Sequence, residues 1–195
     1  MNSRLKEPLK ILFNTILVPL IVVLVSMSLL TTATGTNSPL AVVEIDMTPW
    51  YKSSMYPTLY PGDLLLLSGK EDLKVGDVIV YRNPYKQPPY DKIVHRIIGI
   101  RVDQQGIKRY VTKGDFNSSP DPYSPREEDV IGKWIGVKIH ALGFILLLVE
   151  APPFVNTPLG SIPLGKLILI ILLAILLAME ILEAFWKEPE KEQKL

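Results

Sequence analysis

The sequence contains no cysteine. That excludes disulfides, thiol catalysis and the usual cysteine-based structural zinc sites together. Histidine is almost as scarce, with only His95 and His140 in 195 residues. No closely spaced group of histidines and carboxylates suggests a metal, no cofactor is expected, and acid–base chemistry has two imidazoles to draw on. Net charge is +1, so no excess of one sign points to nucleic acid or to a bulk electrostatic partner. Charge is also missing from two long stretches near the ends of the chain.

The first is Ile11 to Leu30, twenty residues without a charge. As a helix it is about 30 Å long, the thickness of a bilayer core, and Asn14 and Pro19 are tolerable inside a spanning helix. Arg4, Lys6 and Lys10 precede it against Glu7 alone, while Thr31 to Ala41 carries no basic residue. The positive-inside rule then places residues 1–10 in the cytoplasm, 11–31 across the membrane and the following domain outside. A cleaved secretory signal is the competing reading, but the run is longer than a usual signal core and no clean Ala-x-Ala site follows. The second stretch, Leu167 to Met179, is wholly apolar and is prolonged to Trp186 with Glu180 and Glu183 inserted. Residues 163–186 read as a second spanning helix, with Lys166 snorkelling at one end and the glutamates at the other interface. A helix lying in the interface is the alternative. Two spans make a multi-pass protein of the cell membrane, with residues 187–195 returned to the cytoplasm.

Between the spans, residues 32–162 have the size of one domain. Thr31 to Pro39 is a short polar linker, and Met47, Trp50 and Tyr51 suit the headgroup region. Leu64–Leu67, Val78–Tyr81, Ile93–Ile100, Arg109–Thr112 and Ile131–Ile139 are short apolar runs rich in Val, Ile and Tyr, separated by Gly, Pro and Asn turns. That pattern predicts a mainly β domain rather than βαβ units. Leu142 to Val149 is apolar but too short to span, and is either core or surface-lying. Ala151 to Pro163, with four prolines, reads as a connector.

Ser53 and Ser54 stand ahead of Met55-Tyr56-Pro57-Thr58-Leu59-Tyr60-Pro61-Gly62-Asp63. Pro57 and Pro61 restrict their own φ and push Tyr56 and Tyr60 toward extended geometry, and Pro61-Gly62-Asp63 is a tight turn into a buried strand. A serine beside so constrained a segment is held in one place, as a nucleophile must be, although turn serines near prolines are common. A serine nucleophile needs a base. His95 sits with Arg96 as one polar pair inside an apolar strand, on the same face as Ile93 and Ile97. An imidazole base needs an orienting carboxylate. Asp115 and Asp121 lie in the turn-rich segment Lys113 to Asp121, where each can also be only a turn residue. His140, in Lys138-Ile139-His140-Ala141, reads as structural.

Ser54-Met55-Tyr56-Pro57-Thr58 with Gly62-Asp63 resembles the nucleophile box of the type I signal peptidases. Asp77-Val78-Ile79-Val80-Tyr81, Val94-His95-Arg96-Ile97 and Thr112-Lys113-Gly114-Asp115 with Asp121 resemble that family's remaining boxes in the same order. The likeness covers roughly Met47 to Ile139. Histidine at 95, where bacterial members carry a lysine, resembles the archaeal and endoplasmic-reticulum branch. The resemblance implies a signal-peptidase-like β fold, a serine endopeptidase acting on preproteins with N-terminal signal peptides, and accessory subunits that are unknown. It implies Ser54 as nucleophile, His95 as base, Asp121 as its carboxylate and Asp115 in support, with the Ser54 backbone N–H toward the oxyanion. Two positions depart from the pattern. Lys52 stands where bacterial members have an oxyanion-donating serine, and Phe116 replaces a residue that is commonly polar. Peptidase action on other anchored proteins and a non-catalytic membrane scaffold are the rival readings.

Overall fold

Val78-Ile79-Val80-Tyr81 is apolar at every position, the signature of a strand covered on both faces. In the computed structural model, which describes residues 10–11, 13–44, 52–85, 91–150, 154–158 and 160–186, these four residues are all buried in strand β3 (Val78–Arg82). The strand lies inside a six-stranded antiparallel sheet of order β1-β2-β6-β3-β4-β5. Its other members are β1 (Leu40–Val42), β2 (Leu64–Ser68), β4 (Lys92–Val102), β5 (Lys108–Lys113) and β6 (Val130–Ile139). Each of the five runs expected to be strands is one, with its ends moved by one or two residues. β1 was not foreseen, being too short for alternation to show.

Alternation along β3 divides the core in two. Val78 and Val80 pack with Val43, Met55, Leu59, Leu65 and Leu67, whereas Ile79 and Tyr81 pack with Ile97, Tyr110 and Val130. Directly opposed residues of an antiparallel pair share a face. The pairs Ile79↔His95, Tyr81↔Ile93 and Ile97↔Thr112 therefore place His95, Tyr81 and Thr112 on one face, and the pair Val78↔Arg96 places Arg96 on the other.

The chain divides into two compact units. One is 29–148, which carries the sheet. The other joins the described residues up to Ser28 with those from Val149 onward. A π-helical turn, Phe13–Leu17, leads into helix α1 (Val18–Thr34), of which the residues up to Ser28 belong to this second unit. The turn has a local cause: Pro19 has no N–H for the Thr15 carbonyl and its ring crowds that oxygen. Phe13–Thr34 and Leu164–Glu183 are both long and apolar enough to cross a membrane. The latter belongs to helix α3 (Leu164–Trp186), whose Glu180 accepts a hydrogen bond from the Thr15 hydroxyl at 3.0 Å.

The 142–149 stretch is helix α2 (Gly143–Glu150), with Ile145 and Leu148 exposed. It is therefore surface-lying rather than core. The connector ahead of α3 also differs from expectation, because it folds as a hairpin of β7 (Phe154–Thr157) and β8 (Gly160–Pro163). Met47, Trp50 and Tyr51, expected at the interface, lie outside the described residues, as do 1–9 and 187–195.

Candidate active site

Ser54 opens a turn over 54–58 that leans on two anchors. Met55 and Leu59 are buried in the first core cluster, each side chain worth about 1.5–3 kcal/mol of burial. The Leu59 N–H closes a helical turn onto the Met55 carbonyl at 3.0 Å. Ser53, fully buried, accepts from the Met55 N–H and donates to the Leu59 carbonyl at 2.7 Å. The following loop holds the segment from another side: the Phe116 N–H donates to the Ser54 carbonyl at 2.9 Å. That approach requires a glycine at 114, since a Cβ there would lie 2.5 Å from the Ser54 carbonyl oxygen.

His95 brings its Nε2 to 2.9 Å from Ser54 Oγ and its Nδ1 to 2.6 Å from Asp121 Oδ2. Both members of the His95–Asp121 pair are about nine-tenths buried. Burial alone would push the Asp121 carboxyl up. The hydrogen bond and charge of His95, joined by the hydroxyls of Thr112 and Tyr81, outweigh it and hold the group below the usual carboxylate range. An ionised carboxylate only accepts, so His95 Nδ1 carries the proton and Nε2 presents its lone pair to the Ser54 hydroxyl.

Asp121 Oδ2 also receives Thr112 Oγ1 at 2.6 Å and the Tyr81 hydroxyl at 2.9 Å. Burial, followed by the Asp121 charge, raises the Tyr81 phenol far above its ordinary value, with the Thr112 hydroxyl opposing. Tyr81 is therefore a permanent donor. Asp115 is engaged elsewhere. It takes Arg96 Nε and Nη2 at 2.8 and 2.7 Å and the Thr58 hydroxyl at 2.5 Å. Burial works against its ionisation, and Arg96 and Thr58 more than offset this, so its carboxyl also titrates low.

The structure thus brings Ser54, His95 and Asp121 into one hydrogen-bonded series, and ties Asp115 to the Ser54 segment through Thr58. Four participants escaped sequence reasoning: Tyr81, Thr112, Arg96 and Thr58. For Tyr81 and Thr112 the signal lies in the register, which puts each on the face that carries His95 and which the folded sheet supplies. Lys113, at the head of the same loop, sends its ammonium to the Asn117 carbonyl at 3.2 Å. The two departures from the family pattern meet each other. Lys52 Nζ lies over the rings of Phe116 and Tyr56, 4.8 and 5.0 Å from their centroids.

A hydroxyl, an imidazole and a carboxylate in series, set on a β scaffold, is the arrangement that serine hydrolases use. Comparison with known proteins gives the family. Residues 13–110 match the family described as signal peptidase, peptidase S26. The chain is 33% identical over 149 residues to the signal peptidase complex catalytic subunit SEC11 of Eremothecium gossypii, covering 71% of this chain and 83% of that one. It is 30% identical over 144 residues to the protein of the same name from Dictyostelium discoideum, covering 72% of each. The chain belongs to the signal peptidase family, peptidase S26, and is a hydrolase. The family match ends at residue 110 and so includes Ser54 and His95 but neither aspartate.

Proposed function

We propose that this chain is a membrane-bound serine endopeptidase that removes N-terminal signal peptides from secreted preproteins. The observation that supports it best is the Asp121–His95–Ser54 series at 2.6 and 2.9 Å in a member of this family. His95 Nε2 takes the Ser54 proton as Oγ attacks the scissile carbonyl. It then returns that proton to the leaving amine, which departs and leaves an acyl-enzyme. Water, deprotonated by the same nitrogen, attacks the ester and releases Ser54 with its proton restored. Asp121 holds the Nδ1–H tautomer and stabilises the imidazolium formed at each step. The Ser54 backbone N–H is the assigned oxyanion donor, a role worth about 2.7–4 kcal/mol in related chemistry.

The two apolar helices are read as spans. Residues 32–162 then form the extracytoplasmic peptidase domain at the plasma membrane, with 1–10 and 187–195 in the cytoplasm. A peptidase tethered at both ends stays where signal peptides emerge from the bilayer. The relatives' name speaks of a complex, which favours accessory subunits here as well.

The test compares wild type with Ser54→Ala on a preprotein in liposomes, with the cut mapped by mass spectrometry. One cut at the end of the signal region, absent in Ser54→Ala, is the expected result. Equal cutting by both would remove Ser54 from its role.

A further inference from the structure

A second polar cluster lies outside the triad and is tied to the same segment. Asp63, at the end of the nucleophile box, has a side chain only 1% exposed. A carboxylate buried that far must be paired or hydrogen-bonded. Its partners are Lys138 Nζ at 3.3 Å, His140 Nδ1 at 2.8 Å and the Tyr60 N–H at 3.0 Å.

The register explains how the partners arrive. Leu64 and Leu65 of β2 face Ile139 and Lys138 of β6, so the residue before β2 meets the end of β6. Lys138 and His140, two apart, fall on one side of the chain. The chain beyond β6 closes over the same corner, where the Gly143 N–H donates to the Gly62 carbonyl at 2.9 Å.

The contact that gives the cluster a consequence is made by Lys138. The ammonium that pairs with Asp63 also donates to the Thr58 carbonyl at 2.7 Å, and it passes over the Tyr60 ring, 5.5 Å from the centroid. Thr58 is thus held at both polar ends, its carbonyl by Lys138 and its hydroxyl by Asp115, which Arg96 grips. Between Thr58 and Ser54 lies the hydrogen-bonded turn that Leu59 closes onto Met55. A shift at Thr58 therefore reaches Ser54 through a segment with little slack.

We propose that Asp63, Lys138 and His140 form a positioning brace, in which Lys138, fixed by the buried Asp63, holds Thr58 and with it the orientation of Ser54 toward His95. None of the three touches the reacting atoms. The proposal deepens the peptidase reading and rests on it for its effect on turnover, while the effect on the segment itself stands without it.

The experiment uses the full chain in detergent micelles and the substitutions Lys138→Met and Lys138→Arg. Two quantities are read: kcat and KM on a preprotein, and hydrogen–deuterium exchange of peptides spanning 55–63. Lys138→Met keeps the apolar stem and removes the charge. It is expected to lower kcat by about 10- to 100-fold, the scale of a small misplacement of reacting groups, with KM within about twofold. Exchange across 55–63 accelerates. Lys138→Arg, which can still reach both oxygens, restores kcat and exchange toward wild type.

An unchanged kcat in Lys138→Met overturns the brace, whatever happens to exchange. So does a rise in KM alone, which would make Lys138 a substrate-binding residue, and so does a lower kcat without faster exchange. If wild type cleaves nothing while Lys138→Met, and not Lys138→Arg, loosens 55–63, cleavage by the chain without accessory subunits fails and the brace stands. If wild type cleaves nothing and exchange does not move, both fall. Should Lys138→Met not fold, Asp63→Asn, which keeps shape and one acceptor, is held to the same outcomes.

Discussion

Tyr81→Phe deletes one oxygen from the buried centre of the site and leaves the ring's packing against Ile79 and Ile97 in place. Of the three donors on Asp121 Oδ2, those of His95 and Thr112 remain. The lost bond runs from a neutral phenol to a carboxylate, and such bonds contribute about 1.5–3 kcal/mol net. Without it the folded-state pKa of Asp121 rises toward the ordinary carboxylate range, because one of the bonds that hold it down is gone. The sign follows from the direction of the shift. A carboxyl held below its unfolded value contributes stability that is full above about pH 3.9 and is lost as pH falls through the folded value. The variant gives up part of that contribution. It should melt about 3–12 °C below wild type at pH 7, at about 2–4 °C per kcal/mol for a chain of this size. The gap should narrow in acid, as Asp121 becomes neutral in both proteins. Turnover should fall by no more than about tenfold, because the tautomer of His95 is still fixed, and its acidic limb should move to higher pH. The measurement is thermal melting by near-ultraviolet circular dichroism at pH 7 and at about pH 3, with kcat followed across pH. A variant that melts with wild type at pH 7, or a gap of equal size in acid, would refute the argument that this hydroxyl serves an ionised Asp121.

Three further outcomes are expected. His95→Ala should lower kcat by roughly 10⁶-fold and Asp121→Asn by roughly 10⁴-fold, read by preprotein cleavage; near wild-type turnover in His95→Ala would transfer the base to a lysine. Gly114→Ala sets a Cβ 2.5 Å from the Ser54 carbonyl oxygen, so the loop or Ser54 must move; kcat should fall at least tenfold, while thermal melting records a cost of about 1–3 kcal/mol. Lys52→Met and Phe116→Leu should show a coupling of about 0.5–1 kcal/mol in a double-mutant cycle of melting temperatures, and additive values would deny the contact between cation and ring.

Much of the fold was legible because the strands obey simple rules. Val78–Tyr81 and the other Val, Ile and Tyr runs between Gly and Pro turns announced the strands. Strand order was not legible, because the β2–β6 and β6–β3 pairings join segments far apart in sequence through long-range contacts that no local pattern encodes. The hairpin inside the proline-rich connector was missed for a related reason. Prolines argue against a strand, yet Pro163 sits at the end of β8, where a missing N–H does little harm. Around the site, residue type offered Ser53, Ser54, His95 and the two aspartates, and the family resemblance singled out Ser54 and Asp121. Tyr81 and Thr112 did not stand out, since an aromatic and a β-branched residue in strands pass for core until the register turns their hydroxyls toward the same oxygen. His140 read as structural. That it and Lys138 meet Asp63 depends on β6 lying beside β2, which only the folded chain reveals.

Asp115 and Asp121 come from one loop, both carboxyls titrate low, and by residue type alone either could serve His95. Competition for their oxygens separates them. Both oxygens of Asp115 face the guanidinium of Arg96, a planar fork that stays charged at any relevant pH. A carboxylate already neutralised in this way gains little when a neighbouring imidazole acquires a proton. Among the described residues, the side chain of Asp121 receives, apart from His95, the hydroxyls of Tyr81 and Thr112. These orient the carboxylate without cancelling its charge, so that charge remains available to an imidazolium. The strand alternation that turns His95 toward Tyr81 and Thr112 turns the adjacent Arg96 the other way. One step along β4 therefore gives the two acids different partners, His95 for Asp121 and Arg96 for Asp115.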